Sequence, residues 1–393
     1  MEELVKNEVG LNDKILSDFE REDGMSQVII DLAKYKANLD AVRRIVGKER
    51  KLIAVVKADA YGHGLVPIAK AGELDGVDFF AVANIEEGVK LRDSGIRKPI
   101  LILLQPGEDE IEALINYNLT PLISEFDFAR KLSEEAVKLK RIVKVHCKVD
   151  TGMGRQGINV DKADVEIRNI VHLPNIDLEG IATHFPCAEL ENDNYTLQQI
   201  SIFSKLLNEL EEVGVPYEIA HCANSAGIIN YPMSYFDAVR PGIMTYGVLP
   251  VGDLKIRQKI SPILRWESKV VQVKTISKGS YIGYGRTFQA PYDMDVAIVA
   301  VGYADGFKLS LSNKGEVLIG GVRCPVRGNV SMDQIVVELK TKKTVKNGDT
   351  VVIIGKDGDE EITVEEMAKK ADTIPYDILT GIGARVKRVY ING

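Results

Sequence analysis

The sequence predicts an α/β chain: a (β/α)8, TIM-like barrel followed by a mostly β C-terminal domain. Three features point to it. Short apolar runs alternate with longer amphipathic, charged stretches, and eight such units over roughly 220 residues suit a barrel of parallel strands and crossover helices. After about residue 263 the texture changes to β-rich segments separated by glycine turns. No GxGxxG follows the first run, as a doubly wound dinucleotide-binding sheet, the competing architecture, would require.

Taken in order, residues 1–25 read as an N-terminal extension, in which Leu4, Leu11, Ile15 and Phe19 line one side of a short helix. The stretch "SQVIIDL" (26–32) is a further strand that need not belong to the barrel. Residues 26–262 are assigned to the barrel. Its eight runs are "LIAVVKA", "DFFAVAN", "KPILILL", "LTPLIS", "VKVHCKVD", "LEGIATHF", "YEIAHCAN" and "DAVRPGIM". Helix-like segments such as "IEEGVKLRDSG" and "YTLQQISIFSKLLNELEEVG" lie between them. Residues 263–393 form the β-rich domain, with runs such as "DVAIVAVGY" and "GDTVVIIG" expected to pair antiparallel. One helix is expected there, "TVEEMAKKAD", with Thr363 as N-cap and Glu366 three residues on.

Composition narrows the class. The 393 residues are 45% hydrophobic and 27% charged, ordinary for a globular protein with a large core. A formal charge of -7 argues against non-specific nucleic-acid binding. The N-terminus is too charged for a secretory signal, and no apolar run approaches a membrane span. Cys147, Cys187, Cys222 and Cys324 are scattered and form no CxxC pair, which disfavours zinc and disulfides and fits the reducing cytoplasm.

In a barrel the loops after each strand form one rim, where chemistry gathers. The unusual polar residues follow that rule. The first run is followed by Lys57 and Tyr61 in "AVVKADAYGHG", and the fifth by Asp150 and Arg155 in "KVDTGMGRQG". His184 follows the sixth, and the seventh brings His221, Asn224 and Ser225 in "AHCANSAG". Arg240, Gly242 and Ile243 follow the eighth in "VRPGIMTYG". An ammonium after a buried strand is costly unless paired or used, so Lys57 either pairs with Asp59 or serves chemistry. A reactive lysine beside a hydroxyl and close-approach glycines suggests an aldehyde cofactor with a phosphate, held as an imine.

Nine motifs, in order, carry a further reading: "AVVKADAYGHG", "KVDTGMGRQG", "THF", "HCANSAG", "VRPGIMTYG", "GYGRTF", "GYADG", "MDQ" and "IPYDILTGIGARVKR". With them the chain resembles the alanine racemase family of barrel-type enzymes that use pyridoxal 5'-phosphate. The resemblance implies that Lys57 bonds the cofactor aldehyde and acts as one acid/base. It implies that Tyr284 is the second base, reaching in from the partner of a homodimer with composite active sites. Tyr61, Ser225, Gly242, Ile243 and Tyr376 would hold the phosphate, and Arg240 would face the pyridine nitrogen. Arg155 would bind substrate or orient the ring, and the partner's copy of Met332 would border the substrate carboxylate through its backbone. His184 and His221 would support Tyr284 and the ring, and Lys148 matches a position that is carbamylated in some members. The implied activity is interconversion of L- and D-alanine, supplying D-alanine for cell-wall peptidoglycan, with no metal, nucleic acid or membrane involved. Ser331 stands in "SMDQ" where many members have cysteine.

Each residue also has a plainer reading. Tyr284 alone is an ordinary strand tyrosine, and His184 and His221 are satisfied core histidines. Arg155 and Arg240 could be salt-bridged at strand ends, and "GYADG", with Tyr303 and Asp305, is as good a turn as a site. Related racemases acting on serine or a broader set of amino acids are the nearest rival. A barrel-type decarboxylase would place a carboxylate, not Arg240, at the ring nitrogen, and a cofactor-binding regulatory protein would lack the β domain with Tyr284.

Overall fold

The computed structural model describes residues 25–250 and 260–393. The helix expected around Leu4 to Phe19 lies outside the described residues. The described residues divide into two compact units, one holding residues 30–250, 260–264, 374–380 and 390–393, the other 25–29, 265–373 and 381–389.

The strand Gln27–Asp31 (β1) joins the sheet of the second unit. Helix α1 (Leu32–Val46) follows, with the Asp31 carboxylate accepting from the Lys34 N–H as its N-cap. The barrel then runs β2 (Lys51–Val55), α2 (Leu65–Leu74), β3 (Phe79–Val82), α3 (Ile85–Asp93), β4 (Ile100–Ile102), α4 (Ile111–Asn116), β5 (Thr120–Ile123) and α5 (Phe126–Lys138). It continues with β6 (Val143–Asp150), α6 (Val160–Val171), β7 (Ile176–Ala182), α7 (Asn194–Glu212), β8 (Ile219–His221), α8 (Ser225–Asn230) and β9 (Ala238–Val239). Each of the eight predicted runs becomes one of the strands β2 to β9. Every neighbouring pair is parallel, and β9 closes on β2 through Ala238 opposite Lys51.

Strands β3, β4 and β5 are buried at every residue, as parallel strands covered on both faces must be. Strand β6 differs. In "VKVHCKVD" apolar and polar residues alternate, so Lys144, His146, Lys148 and Asp150 share one side. Contacts of His146 with Phe79 and His221 mark that side as the barrel interior. The partner β7 carries a bulge: Val145 pairs with Leu178 and His146 with Gly180, leaving Glu179 as the extra residue.

The second unit is β-rich and antiparallel. It contains β10 (Leu264–Ile276), β11 (Met294–Val299), β12 (Glu316–Ile319), β13 (Val322–Pro325), β14 (Ile335–Glu338), β15 (Thr350–Asp357), β16 (Glu360–Ile362) and β17 (Lys387–Ile391). Its main sheet runs β13-β12-β15-β10-β1-β17, with β11 also paired to β10 and β14 paired to β11. Helix α9 (Val364–Ala371) has the expected cap, Thr363 accepting from the Glu366 N–H. Trp266 is fully buried here, its indole N–H donating to Ser26. "GYADG" is a turn: the Asp305 carboxylate accepts from the Gly302 N–H and pairs with Arg385. The helix Pro375–Thr380 (α10) belongs by its contacts to the barrel unit, against the residues after β2.

Candidate active site

The site begins with an unusual turn. After β2, Ala58, Asp59, Ala60 and Tyr61 all adopt positive φ, between 52° and 54°, one turn of left-handed helix without a glycine. Each such residue costs roughly 1–2 kcal/mol, so the turn persists only if its surroundings hold it. Glu87 does so, one carboxylate oxygen accepting from Ala83 N–H (2.8 Å) and the other from Asp59 N–H (3.3 Å). Asp59 in turn accepts from Leu65 N–H at 2.8 Å. Bonds to a carboxylate are worth about 1.5–3 kcal/mol each, enough to offset much of the strain. No glycine takes part in the turn itself. Gly62 and Gly64 follow it, and their role is close approach: a Cβ on Gly62 would strike the Leu379 carbonyl, and one on Gly64 the Tyr390 hydroxyl.

The alternative that Lys57 pairs with Asp59 is not what the structure contains. Asp59 caps α2, and Lys57 lines a cavity of about 620 Å³ at the C-terminal ends of the strands. Burial, helped by the positive charges of Arg155 and Arg240 against that of Glu87, lowers the Lys57 pKa. The fraction of free amine available as a nucleophile rises accordingly. The same cavity is lined by Tyr61, Lys148, Arg155, His184, Ser225, Arg240, Gly242, Ile243 and Tyr376, contributed by five strand ends and α10. Sequence positions from Lys57 to Tyr376 thus meet in one concave site.

At one side of the cavity, Ser225 Oγ accepts from the Gly242 N–H at 2.9 Å, which leaves its own proton free to donate. A Cβ on Gly242 would fall on the Tyr61 hydroxyl. Burial raises the pKa of Tyr61. Burial, with the Glu189 carboxylate adding to it, raises that of Tyr376 to about 12. Both phenols therefore stay protonated as donors. Three neutral hydroxyl donors and backbone N–H groups around a glycine vacancy suit a phosphate.

Arg240, which also lines the cavity, is buried. One guanidinium nitrogen donates to His221 Nδ1 (2.5 Å) and the His221 carbonyl (2.9 Å). The other donates to the carbonyls of Thr183 (2.7 Å) and Cys222 (3.0 Å) and to His184 Nδ1 (3.2 Å). None of these partners is a carboxylate, so the salt-bridge reading of Arg240 fails. Burial lowers its pKa to about 10, which still leaves it a cation that can only donate at neutral pH. Burial, then the charge of Arg240, holds His184 and His221 well below their usual range, so both are neutral imidazoles. Lys148 is depressed to about 8 by burial and the charges of Arg240 and Arg155. Asp150 faces its own loop: burial pushes its carboxyl up, but N–H groups of residues 152–155 outweigh this and lower it.

Three expected residues are not among the cavity's lining, and one of them, His221, is buried behind Arg240. Tyr284 and Met332 belong to the second unit, where they are 74% and 52% exposed. Tyr284 opens a tight turn in which Gly283, Gly285 and Arg286 all have positive φ (72°, 71° and 52°). Glu87 is not expected from the sequence, and nothing in its surroundings there marks it beyond its place four residues after Ala83.

Residues 30–250 match the alanine racemase N-terminal domain family, and residues 263–390 the alanine racemase C-terminal domain family. The alanine racemase of Halothermothrix orenii is 40% identical over 92% of this chain and 96% of its own length. The solved alanine racemase of Clostridium difficile 630 superposes with a TM-score of 0.90 at 35% identity, covering 94% of this chain and 97% of that one. The alanine racemase of Bartonella henselae, solved with covalently bound pyridoxal phosphate, superposes with a TM-score of 0.86 at 30% identity, covering 94% of this chain and all of that one (100%).

Proposed function

This chain belongs to the alanine racemase family of pyridoxal-phosphate isomerases, and from that premise we propose that it interconverts L- and D-alanine with two bases, Lys57 and Tyr284. When bound, the cofactor supplies an electrophilic aldehyde and a conjugated ring that acidifies the alanine Cα–H. The observation that carries the reading is the convergence, in one cavity, of a buried lysine of lowered pKa and an arginine whose hydrogen-bond partners are all neutral.

Racemisation removes a proton from one face of Cα and returns one to the other. Lys57 is proposed to serve one face through Nζ, and Tyr284 the opposite face through its hydroxyl. The exposure of Tyr284 on a turn of three positive-φ residues favours its use by a second copy of the chain, so the active unit is proposed to be a homodimer with composite sites. Tyr61, Ser225, Gly242, Ile243 and Tyr376 are proposed to hold the phosphate. Arg155 would orient the substrate or ring, the partner's copy of Met332 would border the substrate carboxylate, and His184 would sit between Arg240 and the reacting centre. No helix of the described residues is long and apolar enough to cross a membrane. The proposed setting is the cytoplasm, and the proposed use of D-alanine is in peptidoglycan.

Arg240 is proposed to donate to the pyridine nitrogen. By donating there Arg240 would keep that nitrogen unprotonated, so the cofactor would supply weaker electron withdrawal and transamination would be suppressed. The Arg240→Glu variant is expected to release more pyruvate per racemisation event. An unchanged ratio would count against this placement.

Gly242→Ala tests the phosphate cradle. Overpacking against Tyr61 costs about 1–3 kcal/mol, so cofactor affinity should fall roughly tenfold in a titration of the apoprotein. Unaltered affinity would move the phosphate elsewhere. The activity itself is tested by incubating the holoenzyme with single L-amino acids and resolving the products on a chiral column. D-alanine is expected; D-serine without D-alanine would redirect the assignment.

A further inference from the structure

The barrel interior beneath Arg240 is not the apolar packing that fills most such barrels. It holds a chain of buried polar groups whose bonds can point only one way. Arginine never accepts, so His221 Nδ1 must accept from it at 2.5 Å. The His221 proton therefore lies on Nε2, which donates to His146 Nδ1 at 2.8 Å. His146 then carries its proton on Nε2 and donates to Glu179 Oε2 at 3.2 Å. The other Glu179 oxygen accepts from Lys144 at 2.7 Å, a lysine whose side chain is half exposed.

Three local features build this chain. The bulge in β7 makes Glu179 the residue without a partner in β6, which frees its side chain to turn inward. Gly180 leaves the space His146 occupies: a Cβ there would lie 2.5 Å from His146 Nδ1 and 2.8 Å from the Ile219 carbonyl. The alternation of "VKVHCKVD" places Lys144 and His146 on the interior side together. Burial holds His146 neutral. For Glu179 burial acts upward, but the bonds from His146 and Lys144 outweigh it and bring its carboxyl to about 2. A neutral imidazole donating to an ionised carboxylate is the state both shifts favour.

We propose that Glu179 anchors this one-directional relay, Arg240–His221–His146–Glu179, and that Glu179 and His146 are positioning residues which hold Arg240 as a donor aimed at the cofactor ring. The inference rests on the reading of Arg240 given above. No carboxylate touches the Arg240 guanidinium, so the relay supplies its compensating negative charge through two polarised imidazoles. A carboxylate at the far end also locks both tautomers. With a neutral amide in its place, the amide could donate to His146 Nε2 and let the His146 proton move to Nδ1. His146 Nδ1–H would then face the Nε2–H of His221, and one of the two bonds must break.

The test is ¹⁵N NMR of the histidine side chains in the holoenzyme, joined to kinetics. Wild-type His146 and His221 are both expected as the Nε2–H tautomer; an Nδ1–H form of either overturns the relay without any variant. Glu179→Gln and Gly180→Ala touch neither Arg240 nor the cavity. Each is expected to mix the His146 tautomers and shift the absorption of the bound cofactor. Each should lower kcat about tenfold with KM within about twofold, the scale seen for partners that orient a histidine from behind. Glu179→Asp should recover part of kcat and the wild-type tautomers. Altered tautomers with unchanged kcat and absorption would overturn the positioning role. Arg240→Leu separates the two readings: if it leaves the cofactor absorption as in wild type, Arg240 does not face the ring, and the premise fails rather than the relay.

Discussion

Lys57→Ala is expected to abolish racemisation, lowering kcat by about 10⁴-fold or more, since one residue is proposed both to bond the cofactor and to move a proton. The proposed phosphate cradle of Tyr61, Ser225 and Gly242 does not include Lys57 and is expected to remain. The variant should therefore still bind pyridoxal phosphate, but without a covalent bond. Borohydride treatment would attach the cofactor permanently to the wild type and leave it dialysable from the variant. A small primary amine added to the variant should restore part of the proton transfer, because the missing group is an amine in a cavity of about 620 Å³. Retention of more than a few per cent of wild-type turnover would remove Lys57 from the reaction.

Tyr284→Phe tests both the second base and the composite site. Losing one of two bases that serve opposite faces should cost about 10²–10⁴-fold in racemisation, the usual contribution of a placed acid or base. Exchange of the Cα proton with deuterated solvent should survive for the enantiomer that Lys57 serves. Mixed subunits give the stronger result. If Tyr284 acts across the dimer, a Lys57→Ala subunit paired with a Tyr284→Phe subunit has one site with both groups intact and one with neither. Random reassociation makes half of the dimers mixed, so two nearly dead preparations should recover about a quarter of wild-type activity on mixing. Recovery to that level is not possible if each chain uses its own tyrosine, because every site would then lack one base.

Much of the site is legible in the sequence. Lys57, Tyr61, Arg155, His184, Ser225, Arg240, Gly242, Ile243 and Tyr376 all line the one cavity. All but Tyr376, which comes from α10 and rests on motif, can be grouped because a parallel barrel sends every strand's C-terminal end to the same rim, so position relative to an apolar run is already a spatial statement. Tyr284 and Met332 rest on motif alone, since no strand of the barrel leads to them. The relay is absent from the sequence reading, though its signal is present. "VKVHCKVD" alternates where a strand covered on both faces should be apolar throughout, and that alternation announces a polar layer inside the barrel.

By itself the sequence determined the order of strands and helices, the eightfold count and the gathering of unusual polar residues at the strand ends. These follow from periodicity and from residue chemistry, both of which are local properties. Only the tertiary structure decided how those groups are poised. Four non-glycine residues hold a left-handed turn after β2 because Glu87, a strand away, accepts two of the N–H groups that the turn and its neighbour present. Arg240 is a buried cation without a carboxylate partner rather than half of a salt bridge, because the atoms it donates to come from residues 183, 184, 221 and 222. Strain, burial and protonation depend on which distant atoms fill the last few ångströms around a group, and no local pattern of residues encodes that.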